Sequence, residues 1–423
     1  MIYLVTKNQE LFENPNYKII TPEESLRMLD NLKVIGFDTE TEGLDCHTKA
    51  LLSLQLGCYD WQVVIDCKTI NPLIYKELFE SSEHLFLGWN LKFDTKFLYK
   101  YKIVPKNLYD GFLAEKLLWL GYPSGLHPLS LKHAAETYIG YEMDKTVRGQ
   151  IIWKGLCEET IIYAANDVKY LEKIIIKQRE ALREKGLLTA IDIENKFLLP
   201  LSYMEYCGIK VDIKKWKAKM ARDKAREDNA KKSCDEWLLK AVNEGVTDEI
   251  MYVIWNGNTV PLDSIDMSKM TPSEIENIKS RAYPIKSKVD LSEFRKYITI
   301  DRQGTLFDDF GNVNENPYDL TPKISINWNS AKQLIPLFKK FGVNVEVDDK
   351  EKGGTKDSID AKVLKPQKAK CSLIPLYLDY REAVKVTSTY GENFLRQINP
   401  VSGRIHTNYT QLGADTTKKY LNI

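Results

Sequence analysis

The sequence lacks the paired cysteines of a zinc site or a disulfide framework. Its seven cysteines are scattered and form no CxxC pair, which is typical of a protein in a reducing compartment. It also lacks any apolar run of membrane-spanning length. The first residues show no basic region followed by an apolar stretch and a small-residue cleavage site. These absences predict a soluble, cytoplasmic protein with no membrane partner.

A net excess of charge of either sign is also missing, because 60 lysines and arginines balance 59 acidic residues and leave a formal charge of +1. Any nucleic-acid-binding surface must therefore be local. What the chain does have is length and apolar content. Its 423 residues, 43% of them hydrophobic, suit two or three domains with buried cores.

The pattern of apolar residues divides the chain into two parts. Residues 1–190 alternate strand-like and helix-like runs, which predicts a mixed α/β domain. Strand-like runs include LKVIGFDTET and LLSLQLGCYD, and the helix-like runs include LYDGFLAEKLLWLG. Residues 191–423 are mainly helical, except that turn formers dominate at about 241–323 and predict an irregular insertion there.

The first candidate site residues are Asp38 and Glu40 in VIGFDTE. Residues i and i+2 of a strand point to the same face, so both carboxylates aim at one point at the end of an apolar strand. Converging carboxylates are the ligands that Mg²⁺ prefers. The alternative is a solvated strand end, because such pairs are common in sequences.

The second candidate is Asp94, in GWNLKFD, which follows a short apolar strand. It is either another converging carboxylate or the N-cap of the helix that begins near it. Asn90, four residues earlier, either orients the turn or approaches the substrate, with a plain turn residue as the alternative.

The third candidate pair is Tyr163 and Asp167 in YAANDVKYL, which share one helix face because they are four residues apart. The apolar neighbours indicate a helix buried against a sheet, where an unpaired aspartate is costly. The tyrosine hydroxyl is suited to hold an attacking water. The alternative is a core tyrosine beside an exposed aspartate.

The order DxE, NxxxD, YxxxD resembles the DEDDy 3′→5′ exonucleases of the ribonuclease H-like superfamily. The resemblance implies hydrolysis of phosphodiester bonds with two divalent metal ions, Mg²⁺ or Mn²⁺. It makes Asp38, Glu40, Asp94 and Asp167 the metal ligands and Tyr163 the residue that positions the nucleophilic water. Leu44, in DTETEGLD, matches a residue that packs against the terminal base in the polymerase branch. Ordinary loop packing is the alternative for Leu44.

The rest of the chain resembles family A DNA polymerases, of the DNA polymerase I type. The matching runs are ENKFLLPLSYMEYCGIKVD, SINWNSAKQLIPLFKKFGV and YREAVKVTSTYGENFLRQINPVSGRIHTNYTQLGADT. The resemblance implies a mainly α-helical thumb region and the start of a palm over 191–423, with a single-stranded 3′ end and primer-template duplex DNA as partners. It leaves the stretch at about 241–323 uncovered.

Several basic residues of this part are candidate phosphate contacts. The charged helix supplies Lys214, Lys215 and Arg222, for which a solvated helix face is the alternative. The last run supplies Arg381, Lys385, Arg404 and His406, which serve either DNA contact or structural pairing.

The chain ends at GADTTKKYLNI, before the palm aspartates and the fingers helix of the family. We therefore expect the proofreading exonuclease part of a polymerase, in a bacterial or phage-infected cell. The chain is either one half of a split polymerase, with palm and fingers on a second polypeptide, or the product of an interrupted gene or a truncated reading frame. Two alternatives stay open: a stand-alone exonuclease that acts on DNA or RNA, and a non-catalytic DNA-binding subunit.

Overall fold

The protein is described by a computed structural model that covers residues 1–122, 127–144, 147, 149–255, 258–261, 265, 267, 270–300, 322–349 and 353–413. It divides into two compact units. Unit 1 comprises Met1–Val211 and the described residues from Gln397 onward, and unit 2 comprises Asp212–Arg396. The division at residue 190, which the pattern of apolar residues predicts, stays a prediction.

The elements are numbered in chain order. The strands are β1 (Ile2–Val5), β2 (Tyr17–Ile19), β3 (Val34–Thr41), β4 (Leu51–Gly57), β5 (Gln62–Asp66), β6 (Leu85–Gly88), β7 (Leu108–Asp110), β8 (Ile209–Lys210), β9 (Val246–Trp255), β10 (Asn258–Pro261), β11 (Tyr283–Val289), β12 (Ile298–Ile300), β13 (Pro322–Ile324), β14 (Glu346–Asp348), β15 (Thr355–Asp357) and β16 (Arg404–Ile405). The helices are α1 (Pro22–Asp30), α2 (Lys76–Glu80), α3 (Leu91–Lys100), α4 (Gly111–Leu118), α5 (Leu131–Ile139), α6 (Ile151–Lys154), α7 (Glu158–Lys169), α8 (Leu171–Glu184), α9 (Leu188–Cys207), α10 (Ile213–Glu244), α11 (Pro272–Ser280), α12 (Ala331–Lys340), α13 (Ala361–Leu364), α14 (Leu373–Tyr390) and α15 (Glu392–Leu395).

Unit 1 is built on a seven-stranded mixed sheet in the order β2-β1-β5-β4-β3-β6-β7. The strand β4 is antiparallel to both of its neighbours, and the other neighbouring pairs are parallel. Helices flank the sheet, so the predicted α/β domain with a mixed sheet is confirmed. The run LYDGFLAEKLLWLG was wrongly predicted as one helix, because its first three residues form β7 and pair with β6.

The alternation along β3 separates the core from the candidate site. Ile35 and Phe37 are fully buried in the main apolar cluster of the unit. Gly36, Asp38 and Glu40 point to the opposite face. Helix α7 packs against β3, β4 and β5. The two carboxylates of β3 therefore share their face of the sheet with α7.

Gly36 sets how closely α7 approaches β3. A Cβ atom at this position would lie 2.7 Å from the backbone oxygen of Val168 and 3.1 Å from its Cβ. Only glycine leaves room for contact this close, since atoms at such distances overlap. Val168 directly follows Asp167, so this contact fixes Asp167 beside β3.

Unit 2 has a helical core, as the polymerase resemblance implies. Ala230, Cys234, Leu238 and Ala241 form a buried stripe at helical spacing on α10. They belong to one apolar cluster with Trp328 and with residues of α12 and α14. The expectation of an irregular stretch at about 241–323 was wrong for the part that is described, because β9, β10 and β11 form an antiparallel sheet there.

Among the residues that the structure describes, no helix is both long and apolar enough to cross a membrane. All seven cysteines are free thiols, in agreement with the absence of a disulfide framework in the sequence.

Candidate metal centre

Three of the predicted carboxylates come together. Asp38 and Glu40 from β3 and Asp167 from α7 each offer a ligand atom, and these atoms all lie within 4.8 Å of one another. Asp167 is 8% exposed, so this group sits at the edge of the buried helix face and not on an open surface. Asp38 and Glu40 are themselves partly buried, and their role as metal ligands stays a prediction.

Two buried polar residues of β4 line the same face, and sequence reasoning missed both. Gln55 is the cross-strand partner of Asp38, and Ser53 is the partner of Glu40. The Gln55 amide nitrogen donates to Ser53 Oγ at 2.6 Å, whereas its Oε1 is buried and has no hydrogen-bond partner. An oxygen left unpaired beside three carboxylates suits an oxygen-rich site for a hard cation or its water. The signal in the sequence was the pair of polar residues inside the apolar run LLSLQLG.

Asp94 contacts β3 through Thr39 but is not a member of this group of three. Its carboxylate accepts a hydrogen bond from Thr39, the residue between Asp38 and Glu40, and its side chain is buried. Burial raises the pKa of Asp94, with the nearby Asp110 acting in the same direction and the Thr39 hydrogen bond opposing it. The N-cap alternative is excluded, because α3 begins three residues before Asp94.

Asn90 occupies the cap position of α3 in the left-handed region, with φ 67° and ψ 43°. Asparagine tolerates this region better than most residues. The turn role proposed for Asn90 is thus confirmed. A contact between Asn90 and substrate stays a prediction.

The side chain that accepts hydrogen bonds from the first N–H groups of α3 belongs to Asp110, at the end of β7. Sequence reasoning missed this residue. Its carboxylate accepts from the backbone N–H groups of Asn90 at 2.8 Å and Leu91 at 2.9 Å. It also accepts from the N–H of Phe112 at 2.9 Å, at the start of α4. Burial raises the pKa of Asp110 to about 6, although these three N–H groups act to lower it. Asp110 therefore ties together the starts of α3 and α4; its signal was an aspartate directly before a glycine at a helix start.

Tyr163 lies on α7 one turn before Asp167, and its side chain is buried. The predicted shared face is confirmed. The alternative of an exposed aspartate on this helix is excluded by the burial of Asp167.

Leu44 lies in the loop that leaves β3 and is 86% exposed. The loop-packing alternative is therefore not what the structure shows, since a packed leucine would be buried. An exposed leucine four residues beyond Glu40 is available to a bound ligand.

The basic candidates fall in two groups. Lys214, Lys215 and Arg222 are exposed on α10, and Lys215 Nζ lies 3.7 Å from Asp212. Arg381 and Lys385 are exposed on α14, and both line a groove of about 1140 Å³ in unit 2. DNA contact by either group stays a prediction.

Arg404 and His406 are half-buried and make protein contacts. Arg404 Nη1 donates to Gly208 O at 3.3 Å. His406 Nδ1 lies 2.8 Å from Glu205 O, and its Nε2 lies 2.7 Å from Ser402 Oγ. Structural pairing is the alternative with direct support, and DNA contact by these two residues stays a prediction.

Comparisons with known proteins agree with this arrangement. Residues 9–183 match the model of a 3′-5′ exonuclease family, and residues 302–418 match the model of DNA polymerase family A. The chain carries the 3′→5′ exonuclease domain of family A DNA polymerases and part of their polymerase domain. The family resemblance seen in the sequence is therefore confirmed.

The similar curated proteins are bacterial. DNA polymerase I of Aquifex aeolicus is 30% identical over 253 residues, 53% of this chain and 41% of the relative. DNA polymerase I of Borreliella burgdorferi is 24% identical over 416 residues, 94% of this chain and 36% of the relative. The chain therefore spans less than half the length of these family A relatives.

A solved structure supports the fold. The POL domain of Pol1 from M. smegmatis, in complex with a DNA primer-template and dNTP, matches with a TM-score of 0.59 at 13% identity. The match covers 97% of this chain and 53% of that one. It shows that the two chains share a fold.

Proposed function

We propose that this chain removes nucleotides from the 3′ end of DNA in a metal-dependent reaction, as the proofreading part of a family A DNA polymerase. The observation that carries the proposal is the convergence of Asp38, Glu40 and Asp167 from β3 and α7. Three carboxylates at such distances repel one another, and a divalent cation removes that repulsion.

The donor set fits Mg²⁺ or Mn²⁺, since it consists of carboxylate oxygens with the unpaired Gln55 Oε1 on the same face. Asp38, Glu40 and Asp167 would hold one ion. Asp94, whose buried carboxylate is linked through Thr39 to the same strand, would hold a second ion together with Asp38. Two such cations, when bound, would activate a water as the nucleophile and neutralise charge on the scissile phosphate.

The remaining residues orient the substrate and the water. The Tyr163 hydroxyl, one turn from Asp167, would hold the attacking water. The exposed Leu44 side chain would pack against the terminal base, and the Asn90 side chain would approach the strand. We also propose a cytoplasmic protein; the suspicion of a phage-infected cell has no support in the bacterial relatives.

Duplex binding is proposed for unit 2. The groove is lined by five basic side chains, namely Lys362, Lys365, Lys368, Arg381 and Lys385. Of the acidic residues that line it, Asp379 and Glu382 face Arg226, whose Nη2 lies 2.6 and 3.6 Å from their carboxylates. The groove therefore has an excess of positive charge, which suits the phosphate backbone of duplex DNA.

Primer extension would need palm and fingers residues in addition to the polymerase part described here. A stand-alone exonuclease on DNA or RNA is the second candidate, because the carboxylate group by itself does not select deoxyribose. A non-catalytic DNA-binding subunit is the third.

The test of the proposed function uses single-stranded DNA labelled at its 5′ end. With Mg²⁺ or Mn²⁺ we expect a ladder of labelled products that shortens from the 3′ end, and EDTA should stop it. An RNA strand of the same sequence is the comparison. Faster loss of the RNA would favour the second candidate, and no shortening with either metal would contradict nuclease activity altogether.

The duplex-binding surface gives a separate prediction. Replacing Lys365, Arg381 and Lys385 with alanine should weaken binding to a primer-template, because three phosphate contacts are lost. The slope of log affinity against log salt concentration should become shallower by about 2.7, or ~0.9 per contact. The control is alanine at Lys214, Lys215 and Arg222, which removes the same charge from α10. If the control changes the slope and the groove variant does not, α10 is the contact surface.

A further inference from the structure

The C-terminal segment, defined here as residues 397–413, lies on unit 1 although the chain reaches it from unit 2. Its short strand β16 pairs antiparallel with β8, so Arg404 lies opposite Lys210. Farther on, Gln411 Nε2 donates to Glu194 Oε2 at 2.9 Å, and Lys116 Nζ donates to Gln411 O at 2.6 Å. The segment is therefore anchored along its length and is part of the exonuclease unit.

One contact of the segment reaches the loop between β3 and β4, residues 42–50, which we call the β3–β4 loop. Asn399 Nδ2 donates to Asp45 Oδ2 at 2.7 Å. Asp45 is also the internal hydrogen-bond centre of this loop, since it accepts from His47 N at 3.0 Å and Thr48 Oγ1 at 2.7 Å. Asn399 thus binds the residue that organises the loop.

A second contact lies beside the first. The ring of His406 lies against that of His47 at a tilt of 34°, with centroids 4.1 Å apart, and His47 also stacks on Tyr206 at 4.8 Å. The Glu205 carbonyl can only accept, so His406 Nδ1 donates to it and Nε2 accepts from Ser402. Both ring nitrogens of His406 are thereby fixed, and so is the ring face on which His47 rests.

Gly208 leaves room for the ring of His406 beside the end of α9. Its φ is +61°, and a Cβ there would lie 2.6 Å from His406 Nδ1. The end of α9 and the C-terminal segment can approach each other this closely only because residue 208 has no side chain. The contact therefore depends on the backbone of Gly208.

The β3–β4 loop borders the carboxylate group. It begins directly after the strand that carries Asp38 and Glu40, and its base is closed by a hydrogen bond from Glu42 N to Ala50 O at 3.0 Å. Leu44, the exposed apolar residue of the loop, directly precedes Asp45. Contacts that hold Asp45 and His47 in place therefore also limit the movement of Leu44 relative to Glu40.

The segment also reaches α3, which carries Asp94. Lys92 Nζ donates to Asn408 Oδ1 at 2.7 Å and to Tyr409 O, and it lies 2.6 Å from Glu205 Oε1. Tyr409 N donates to the same Glu205 oxygen at 2.6 Å. Lys96, one turn farther along α3, lies 2.8 Å from the other oxygen of Glu205. The β3–β4 loop and α3, which flank the candidate metal centre, are therefore both held by contacts with the C-terminal segment.

We infer that the C-terminal segment is a positioning element of the exonuclease site: Asn399 and His406 act through Asp45 and His47 to hold the β3–β4 loop, and with it Leu44, against the 3′-terminal nucleotide. This role rests on the proposed function. In this role Asn399 and His406 act on the position of the bound strand through the loop and not through contacts of their own with the substrate. Loss of the contact therefore raises KM for a single strand and leaves the carboxylates in place.

The substitution that isolates this contact is Asn399→Asp in the full chain. An aspartate keeps the acceptor for Val401 N and Ser402 N, which Asn399 Oδ1 now binds, so the local turn survives. It replaces the donor to Asp45 with a second carboxylate, which repels Asp45. The exchange Asn399→Asp with Asp45→Asn restores one donor and one acceptor across the same contact. Val401→Ala, at a side chain that is 66% exposed in the same turn, is the control.

Two readouts are measured on each variant: amide hydrogen exchange of residues 42–50, and KM and kcat for 3′ removal from a single-stranded oligonucleotide. For Asn399→Asp we expect faster exchange in the loop and a KM raised about tenfold, with kcat changed little, which corresponds to the loss of a hydrogen bond to a charged group. The exchanged pair should restore both values, and Val401→Ala should change neither.

Unchanged loop exchange in Asn399→Asp would overturn the inference, and so would faster exchange with unchanged KM. A fall in kcat that the exchanged pair does not restore would also overturn it, because that result marks general damage to the unit. If the unaltered chain shows no nuclease activity, the proposed function fails. The exchange measurement then still decides whether Asn399 holds the loop.

Discussion

Replacing Asp38 and Glu40 together with alanine is expected to abolish Mg²⁺-dependent removal of 3′ nucleotides. The two changes take away two of the three carboxylates whose ligand atoms lie within 4.8 Å of one another. Asp167 alone cannot hold a divalent ion in competition with water. Loss of metal-based stabilisation worth about 4 kcal/mol or more corresponds to a fall in kcat of ~10³-fold or more. The measurement is the rate of 3′ shortening of single-stranded DNA under saturating Mg²⁺.

A second measurement separates loss of the metal site from loss of the fold. A ligand that binds only the folded state stabilises it by about 2.7 kcal/mol at 100 times its dissociation constant. Mg²⁺ should therefore raise the melting temperature of the unaltered chain and not that of the double variant. In EDTA the variant should be at least as stable as the unaltered chain, because removing two carboxylates relieves their mutual repulsion.

The matched control removes two exposed acidic residues instead. Asp30 and Glu83 have side chains that are 80% and 70% exposed, and their replacement with alanine gives the same change of net charge. This control should keep both the activity and the response to Mg²⁺. Activity retained by the Asp38/Glu40 variant would show that the site lies elsewhere.

Sequence reasoning succeeded where a single periodicity decides the geometry. The alternation of a strand was enough to place Asp38 and Glu40 on one face, and the 3.6-residue turn was enough to pair Tyr163 with Asp167. Both patterns depend on backbone geometry that every strand or helix shares. The order of the motifs then predicted that β3 and α7 meet.

The failures involve residues whose role depends on a partner far away in the chain. Asp110 acts through N–H groups about twenty residues earlier, and its own strand is only three residues long, too short for a visible alternation. Gln55 belongs to the site because of its register opposite Asp38. In the last run that resembles the polymerases, only Arg404 and Ile405 pair as a strand, because side-chain contacts within unit 1 hold the residues that follow.

Asp94 illustrates the limit of a motif. The NxxxD pattern correctly marked a buried carboxylate beside β3, but the structure gives it a hydrogen bond from Thr39 and leaves it outside the group of three. Residues 38 and 40 face α7, whereas Thr39 between them points to the other side of the strand. The role of Asp94 as a ligand of a second ion therefore stays a proposal.

Gly36→Ala is the second substitution with a large expected effect, although it alters no candidate ligand. The added methyl group would lie 2.7 Å from Val168 O, so α7 must move away from β3. Helix α7 carries both Tyr163 and Asp167, whereas Asp38 and Glu40 stay on β3. A shift of about 1 Å between a catalytic group and its partners can lower the rate by ~100-fold. We therefore expect a loss of that size in kcat, with the response of the melting temperature to Mg²⁺ weakened.

Overpacking also costs about 1–3 kcal/mol of stability, so the activity must be compared with a variant that is destabilised elsewhere. Gly140→Ala serves, because φ at Gly140 is +64° and the position has open space around it. An alanine there strains the backbone without displacing α7. If Gly140→Ala lowers kcat as much as Gly36→Ala at equal loss of stability, the effect is general unfolding. If Gly36→Ala alone lowers kcat, the contact between Gly36 and Val168 sets the distance between the two halves of the carboxylate group.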